Sequence, residues 1–169
     1  MNEPDVSVRL EADGLRRLMT QAPDIVIEEL TTGVTEASML AEREIRERTP
    51  TSGAGTLRES IGAMPVEFAQ EVVRGGVATS LPYAVPVETG SKPHMPPISP
   101  LVDWVERKLG LRDKEAQGVA WAIARKIAKQ GTQGAFMFRD GFAAVEPQIM
   151  AILGAAIERA TARIAAGER

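Results

Sequence analysis

The chain is predicted to fold as an α+β protein, with a small antiparallel sheet packed on a long N-terminal helix and further helices toward the C-terminus. Three observations predict this. Apolar residues Ile27, Leu30, Val34, Ala37, Ala41 and Ile45 recur at spacings of three and four, which places them on one buried face of a helix. Two β-like runs, 63–68 and 71–79, follow each other with a short break, as a hairpin requires. Aromatic residues make up only 4% of a chain that is 44% hydrophobic, so the core must come mainly from Ala, Val, Ile and Leu, side chains that let helices approach closely. The length of 169 residues fits one domain, expected over 1–169.

In chain order, residues 5–12 alternate Val6, Val8 and Leu10 with Ser7, Arg9 and Glu11, predicting a half-buried strand that ends at Asp13-Gly14. The long helix follows Pro23, spans 24–48 and stops near Thr49-Pro50. Its other face, crowded with Glu28, Glu29, Glu36, Glu42, Arg43, Glu44, Arg46, Glu47 and Arg48, meets either solvent or a partner. The small, polar stretch TPTSGAGTLRESI at 49–61 predicts a mobile loop leading into a turn. A hairpin is expected over 62–80, in which Gly75-Gly76 forms a bulge or marks the close approach of another backbone. Residues 82–100 hold six of the eleven prolines, which argues against helix and for an extended connection. Helices are expected over 100–166. The first has Ser99 as N-cap, Pro100 at its first position and Gly110 as its stop. The second, 113–130, buries Ala116, Val119, Ala120, Ile123 and Ile127 and ends at Gly131. The last starts near Pro147 and aligns Ile149, Leu153, Ala156, Ala160 and Ile164.

Composition weighs against several functions. A net charge of −3 and a pI near 5.3 argue against a chain whose main task is gripping phosphates. The absence of cysteine removes disulfides, thiolate nucleophiles and cysteine-bound zinc, and suits a reducing cytoplasm. The polar N-terminus and the lack of any run of about 18 apolar residues predict a soluble chain without a targeting or membrane segment. Base catalysis has one histidine to work with, His94 in SKPHMPP, near Ser91 and Ser99 but without a G-x-S-x-G elbow. No H-E-x-x-H or EF-hand spacing is present, and TSGAG lacks the Lys-Ser/Thr of a phosphate loop. The pairs Glu28 with Glu29 and Glu42 with Glu44 sit in a charged helix face, where solvation explains them better than acid–base work. The expectation is a non-enzyme with no catalytic, cofactor-binding or metal-binding residues.

Charge is unevenly placed. Asp24 to Arg48 holds seven acids and three bases, whereas Ile98 to Gly131 holds four acids and seven bases. Arg125, Lys126 and Lys129 have no acid between Glu115 and Asp140, and Arg125 and Lys129 share a helix face. That face meets solvent, a neighbouring subunit's acidic helix or DNA, and the modest cluster size favours the subunit.

Two segments carry a resemblance to a known family. RTPTSGAGTLRESI at 48–61 is similar to a turn of the type Thr-Pro-x-x-Thr-Gly-x-Leu-x-x-Ser-Ile, and PYAVPVETG at 82–90 is similar to Tyr-Ala-x-x-Val-Glu-x-Gly. In order and spacing, with a hairpin between them, they resemble the siphophage tail-component family of tail-completion and neck proteins. The loop Ser52-Gly53-Ala54-Gly55 departs from the family's compact Thr-Gly pair. The resemblance implies a structural virion protein, a tail-completion or head-to-tail joining subunit that assembles in the host cytoplasm. Its implied partners are further copies of itself in a ring, hexameric by analogy, together with tail-tube and head-completion proteins, and DNA passing through the ring. Glu28, Glu36, Glu44, Leu57, Tyr83, Glu88, Arg125, Lys126 and Lys129 are the expected interface residues. Alternatives are a minor tail or head-closure protein of the same particle or, from a different class, a small hydrolase or nucleic-acid-binding factor.

Overall fold

The computed structural model describes residues 13–51 and 55–168, so the strand expected over 5–12 lies outside the described residues. The protein is α+β; 68% of the described residues are helical, with small two-stranded antiparallel sheets. Within the span 1–169, the described residues group into two compact units. The first holds 13–47, Ile61–Ala78 and 139–168, and the second holds 48–51, 55–60 and Thr79–Phe138.

The first unit opens with α1 (Asp13–Gln21), where the sequence suggested a turn at Asp13-Gly14. Leu15, Leu18 and Met19 are spaced as a short apolar helix face, and they pack against a core of Ala22, Ile25, Val26 and Ala160. The Val26 N–H donates to the Ala22 carbonyl (3.2 Å), and Pro23 opens α2 (Pro23–Arg48) at the position where a missing N–H costs nothing. The long helix is where the apolar spacing puts it. It packs on α7 (Met137–Ala165) through small residues: a Cβ on Gly33 would lie 2.9 Å from the Ala156 Cβ, and one on Gly141 would lie 3.0 Å from the Ile45 Cα. Those pairings run the two helices antiparallel.

α7 begins ten residues before Pro147, where the sequence reading started the last helix. A proline inside a helix removes one hydrogen bond, here to the Ala143 carbonyl one turn earlier. Ala143 and Pro147 are both exposed, so water can satisfy the lost rung and the helix runs through. α7 also contains an 18-residue window of mean hydropathy 1.2 with a length and composition that could cross a membrane. The sequence reading expected no such stretch. Only 22% of that window is buried in this fold, although Ala156 and Ala160 of α7 are fully covered.

The hairpin forms as predicted, in two ladders. β1 (Gly62–Ala63) pairs with β4 (Val77–Ala78), and β2 (Glu67–Ala69) pairs with β3 (Val72–Arg74). Between them Met64, Pro65 and Val66 oppose Gly75 and Gly76, so the extra residue sits on the strand whose proline cannot donate to a ladder. Gly75 is the close approach: a Cβ there would meet the Val34 Cγ1 at 2.5 Å and the Ser38 Oγ at 2.9 Å, which seats the strand on α2. The turn residues Gln70 and Glu71 both have positive φ (51° and 62°), the geometry that matches the twist of a tight hairpin.

The second unit contains α3 (Thr56–Ser60), α4 (Ala84–Thr89), β5 (Gly90–Ser91), α5 (Ile98–Leu109), α6 (Asp113–Gln130) and β6 (Thr132–Gln133). α4 corrects the expectation of an extended chain over 82–100. Pro86 is its third residue, inside the first turn, where a backbone N–H has no intrahelical acceptor. The segment then becomes a strand, with Gly90 opposite Gln133 and Ser91 opposite Thr132. α5 starts at Ile98 with Pro97 in the capping position, so Ser99 is not its cap. Gly110, left-handed at φ 69°, ends it as expected. α6 matches its predicted bounds, and Ala116 and Ala120 pack with Val105 of α5.

Candidate functional site

The two segments that carry the family resemblance meet in the second unit. Gly55, at φ 68°, precedes α3, and the Glu59 N–H donates to its carbonyl at 2.9 Å. Leu57 is thereby buried in a cluster with Ala84 and Met137, against which Leu81, Val87 and Phe138 pack. Arg58 anchors the start of the loop, its Nη2 donating to the carbonyl of buried Thr49 at 3.2 Å. The Ser60 and Thr79 hydroxyls hydrogen-bond at 2.6 Å, closing the excursion at the point where the chain re-enters the unit. Leu57 and Tyr83–Glu88 thus belong to one constellation, although some 25 residues separate them in sequence.

Glu88 has a structural assignment in this constellation. It is 5% exposed, and its Oε2 accepts the Phe138 N–H at 2.9 Å, a carboxylate on the first turn of α7 where orphan N–H groups and the helix dipole favour negative charge. The main chain reinforces it. The Ala135 N–H donates to the Val87 carbonyl (2.8 Å) and the Phe136 N–H to the Glu88 carbonyl (3.0 Å). Gly134 runs directly against the backbone of 88–90, close enough that a Cβ would overlap the Glu88 carbonyl oxygen. Tyr83, by contrast, is 46% exposed, and Val85 beside it is exposed too, so the motif turns one side to the core and the other to solvent.

The predicted charged residues are used in different ways. Glu28 pairs with Arg163 (3.0 Å), and Glu29 pairs with Arg159 (2.7 Å) and Arg163 (3.0 Å), all within the first unit. Hydrogen bonds from Arg159 and Arg163 hold the Glu29 carboxyl below its ordinary range. The Arg163 guanidinium is pushed up, first by Glu168 and then by Glu28 and Glu29. Glu42 accepts the Ala63 N–H (2.9 Å) and pairs with Arg46 (2.8 Å); these bonds, the backbone one foremost, lower its pKa. Glu36 is exposed and Glu44 half-buried on the same helix. Arg125, Lys126 and Lys129 are exposed on α6 and make no ion pair among the described residues. Sequence reasoning missed Arg159 and Arg163 as the partners of the acidic face. Their spacing of four was the available signal, but nothing local said which acids they would meet.

His94 is exposed in the loop after β5. Its Nδ1 lies 2.9 Å from the Lys92 carbonyl and 3.4 Å from the Ser91 Oγ, whose shorter bond, 2.9 Å, is to the Thr132 hydroxyl. No group of three or more His, Cys, Asp or Glu residues is placed to hold a metal ion among the described residues. No family model, curated protein or solved structure matches the chain.

Proposed function

We propose that the protein is a structural assembly subunit of a tailed phage, a tail-completion or head-to-tail joining protein that works as one copy in a ring and acts by binding rather than turnover. The observation that carries this reading is the convergence of the two resemblance segments. Leu57 of one packs with Ala84 and Val87 of the other, and Glu88 ties the second to the start of α7. The exposed, unneutralised base cluster on α6 and the exposed acids of α2 supply the complementary faces that identical copies need to close head to tail. Tail-tube and head-completion proteins are the outer partners in this reading, and the virion neck is the location.

The test is genetic and structural. Deleting the gene should yield particles with tails of irregular length or heads detached from tails in electron micrographs, with restoration by the wild-type gene. Normal infectious particles from the deletion would overturn the proposal.

A further inference from the structure

We infer that the contact between neighbouring copies is an antiparallel helix pair, the exposed face of α2 on one copy against the exposed face of α6 on the next, keyed by Met39 seated between Gly118 and Trp121. The inference rests on the proposed self-assembly and names the surfaces that carry it. Each face holds a large apolar side chain exposed to solvent. Met39 is 61% exposed, the most exposed large hydrophobic residue among the described residues, and it stands among charged and polar neighbours. Trp121 is 46% exposed on α6. Gly118, one turn before Trp121 on the same face, is a poor helix former in the middle of an eighteen-residue helix, and a Cβ added there would meet nothing within 4 Å. Among the described residues Gly118 has no close neighbour to accommodate. A notch beside an indole receives a thioether well, because methionine is flexible and sulfur packs favourably on aromatic rings.

Charge then selects the partner and the direction. On α2, Glu36 lies one turn before Met39 and Arg43 one turn after, all exposed. On α6, Arg125 lies one turn after Trp121, followed by Lys129 on the same exposed face. At about 1.5 Å per residue, Glu36 is about 4.5 Å along its axis from Met39 and Arg125 about 6 Å along its own from Trp121. With the helices antiparallel and Met39 at Trp121, Glu36 faces Arg125, Thr32 falls near Lys129, and Arg43 falls near Gln117 and the Gly118 notch. With the helices parallel, Arg43 would instead face Arg125, a like-charge clash. Because the two faces differ, the contact is heterologous and can repeat around a ring rather than stop at a dimer.

The chain contains no cysteine, so single-cysteine variants report the contact without background. Full-length Met39→Cys and Gly118→Cys proteins, mixed and treated with a short bismaleimide, should give covalent dimers at several times the yield of either variant alone. Glu36→Arg and Arg125→Glu should each lower the assembled fraction in sedimentation about tenfold, and the double swap should restore it. Circular dichroism of each variant checks that the fold survives. A wild-type protein that assembles while the mixed cysteines cross-link no better than either alone overturns this contact and leaves the ring intact. A wild-type protein that remains monomeric at every concentration and is not multimeric in particles overturns the ring and the contact together. Salt-sensitive DNA retention lost in Arg125→Glu with unchanged assembly would assign the α6 face to nucleic acid and overturn the contact.

Discussion

The two compact units are held together by different physics. In the first, α2 and α7 lie along each other over many turns, with Gly33, Ala37, Ala41, Gly141, Ala156 and Ala160 near or in the seam and the Glu28, Glu29, Arg159 and Arg163 network at its edge. Its stability is spread over a long repetitive surface, and no single side chain dominates. In the second, α5 and α6 pack through Val105, Ala116 and Ala120, while the shorter elements are stitched by backbone contacts at Gly90, Gly131 and Gly134, and a few side chains, Met137, Leu57 and Glu88, anchor several of them at once. A seam tolerates loss of one contact, whereas a stitched junction depends on its anchors. The units should therefore fail differently.

The largest expected effect is at the anchor of the stitched unit. Met137 is fully buried, so Met137→Ala should cost about 2–5 kcal/mol in urea unfolding, the range for a large-to-small change in a packed core. A loss below about 1 kcal/mol would show that the cluster collapses around the gap and that Met137 is no anchor. Next comes the seam: Gly33→Val must displace the Ala156 methyl, and overpacking of this kind should cost about 1–3 kcal/mol, visible as a lowered midpoint at unchanged slope. If Gly33→Val were more damaging than Met137→Ala, the contrast between seam and anchor would be reversed.

Glu88→Ala leaves the Phe138 N–H without its acceptor, at about 1–3 kcal/mol. Glu88→Gln, which keeps an acceptor oxygen, should lose less. Hydrogen exchange should quicken at residues 132–138 in Glu88→Ala while the α2 amides stay protected; uniform quickening would mean that the junction is not a separate cooperative piece.

A smaller effect concerns acid. The folded-state pKa values of Glu29 and Glu42 lie below the ordinary 4.5, so their contribution is complete at neutral pH and fades as pH falls below that value toward their folded pKa values. Glu42→Gln should flatten the acid limb of the stability profile and leave its neutral-to-basic limb parallel to wild type. A slope that is unchanged would mean that the Ala63 and Arg46 bonds are not formed in solution. The smallest effect should come from Lys126→Ala, an exposed change expected to stay within about 0.5 kcal/mol of wild type in thermal unfolding.

The features legible in the sequence share a local cause. α2 and α6 announce themselves by periodic apolar residues, and Gly110 and Gly131 end α5 and α6 because a left-handed or otherwise positive φ there suits glycine. The hairpin follows from its two adjacent runs. Asp13-Gly14 and the prolines of 82–100 misled because the same residue types that break a helix also begin one. Pro147 misled because a helix interior tolerates proline where the freed carbonyl faces water, and exposure is not a local property. At the candidate site, Leu57, Tyr83 and Glu88 were singled out from the sequence as contact residues, and the fold puts Leu57 and Glu88 in the interior.

By itself, the sequence determined that 24–48 and 113–130 are helical, the composition of small apolar side chains that lets helices pack closely, and the opposite charge of 24–48 and 98–131. Those follow from neighbours within a few positions of each other. Only the tertiary structure decided that Glu29 is used by Arg159 and Arg163, that Glu88 caps α7, and that Gly75 lies on Val34 and Ser38. It also decided that Met39 and Trp121 remain uncovered. Partnership across a hundred residues depends on which surfaces the chain has already buried, and no local pattern carries that information.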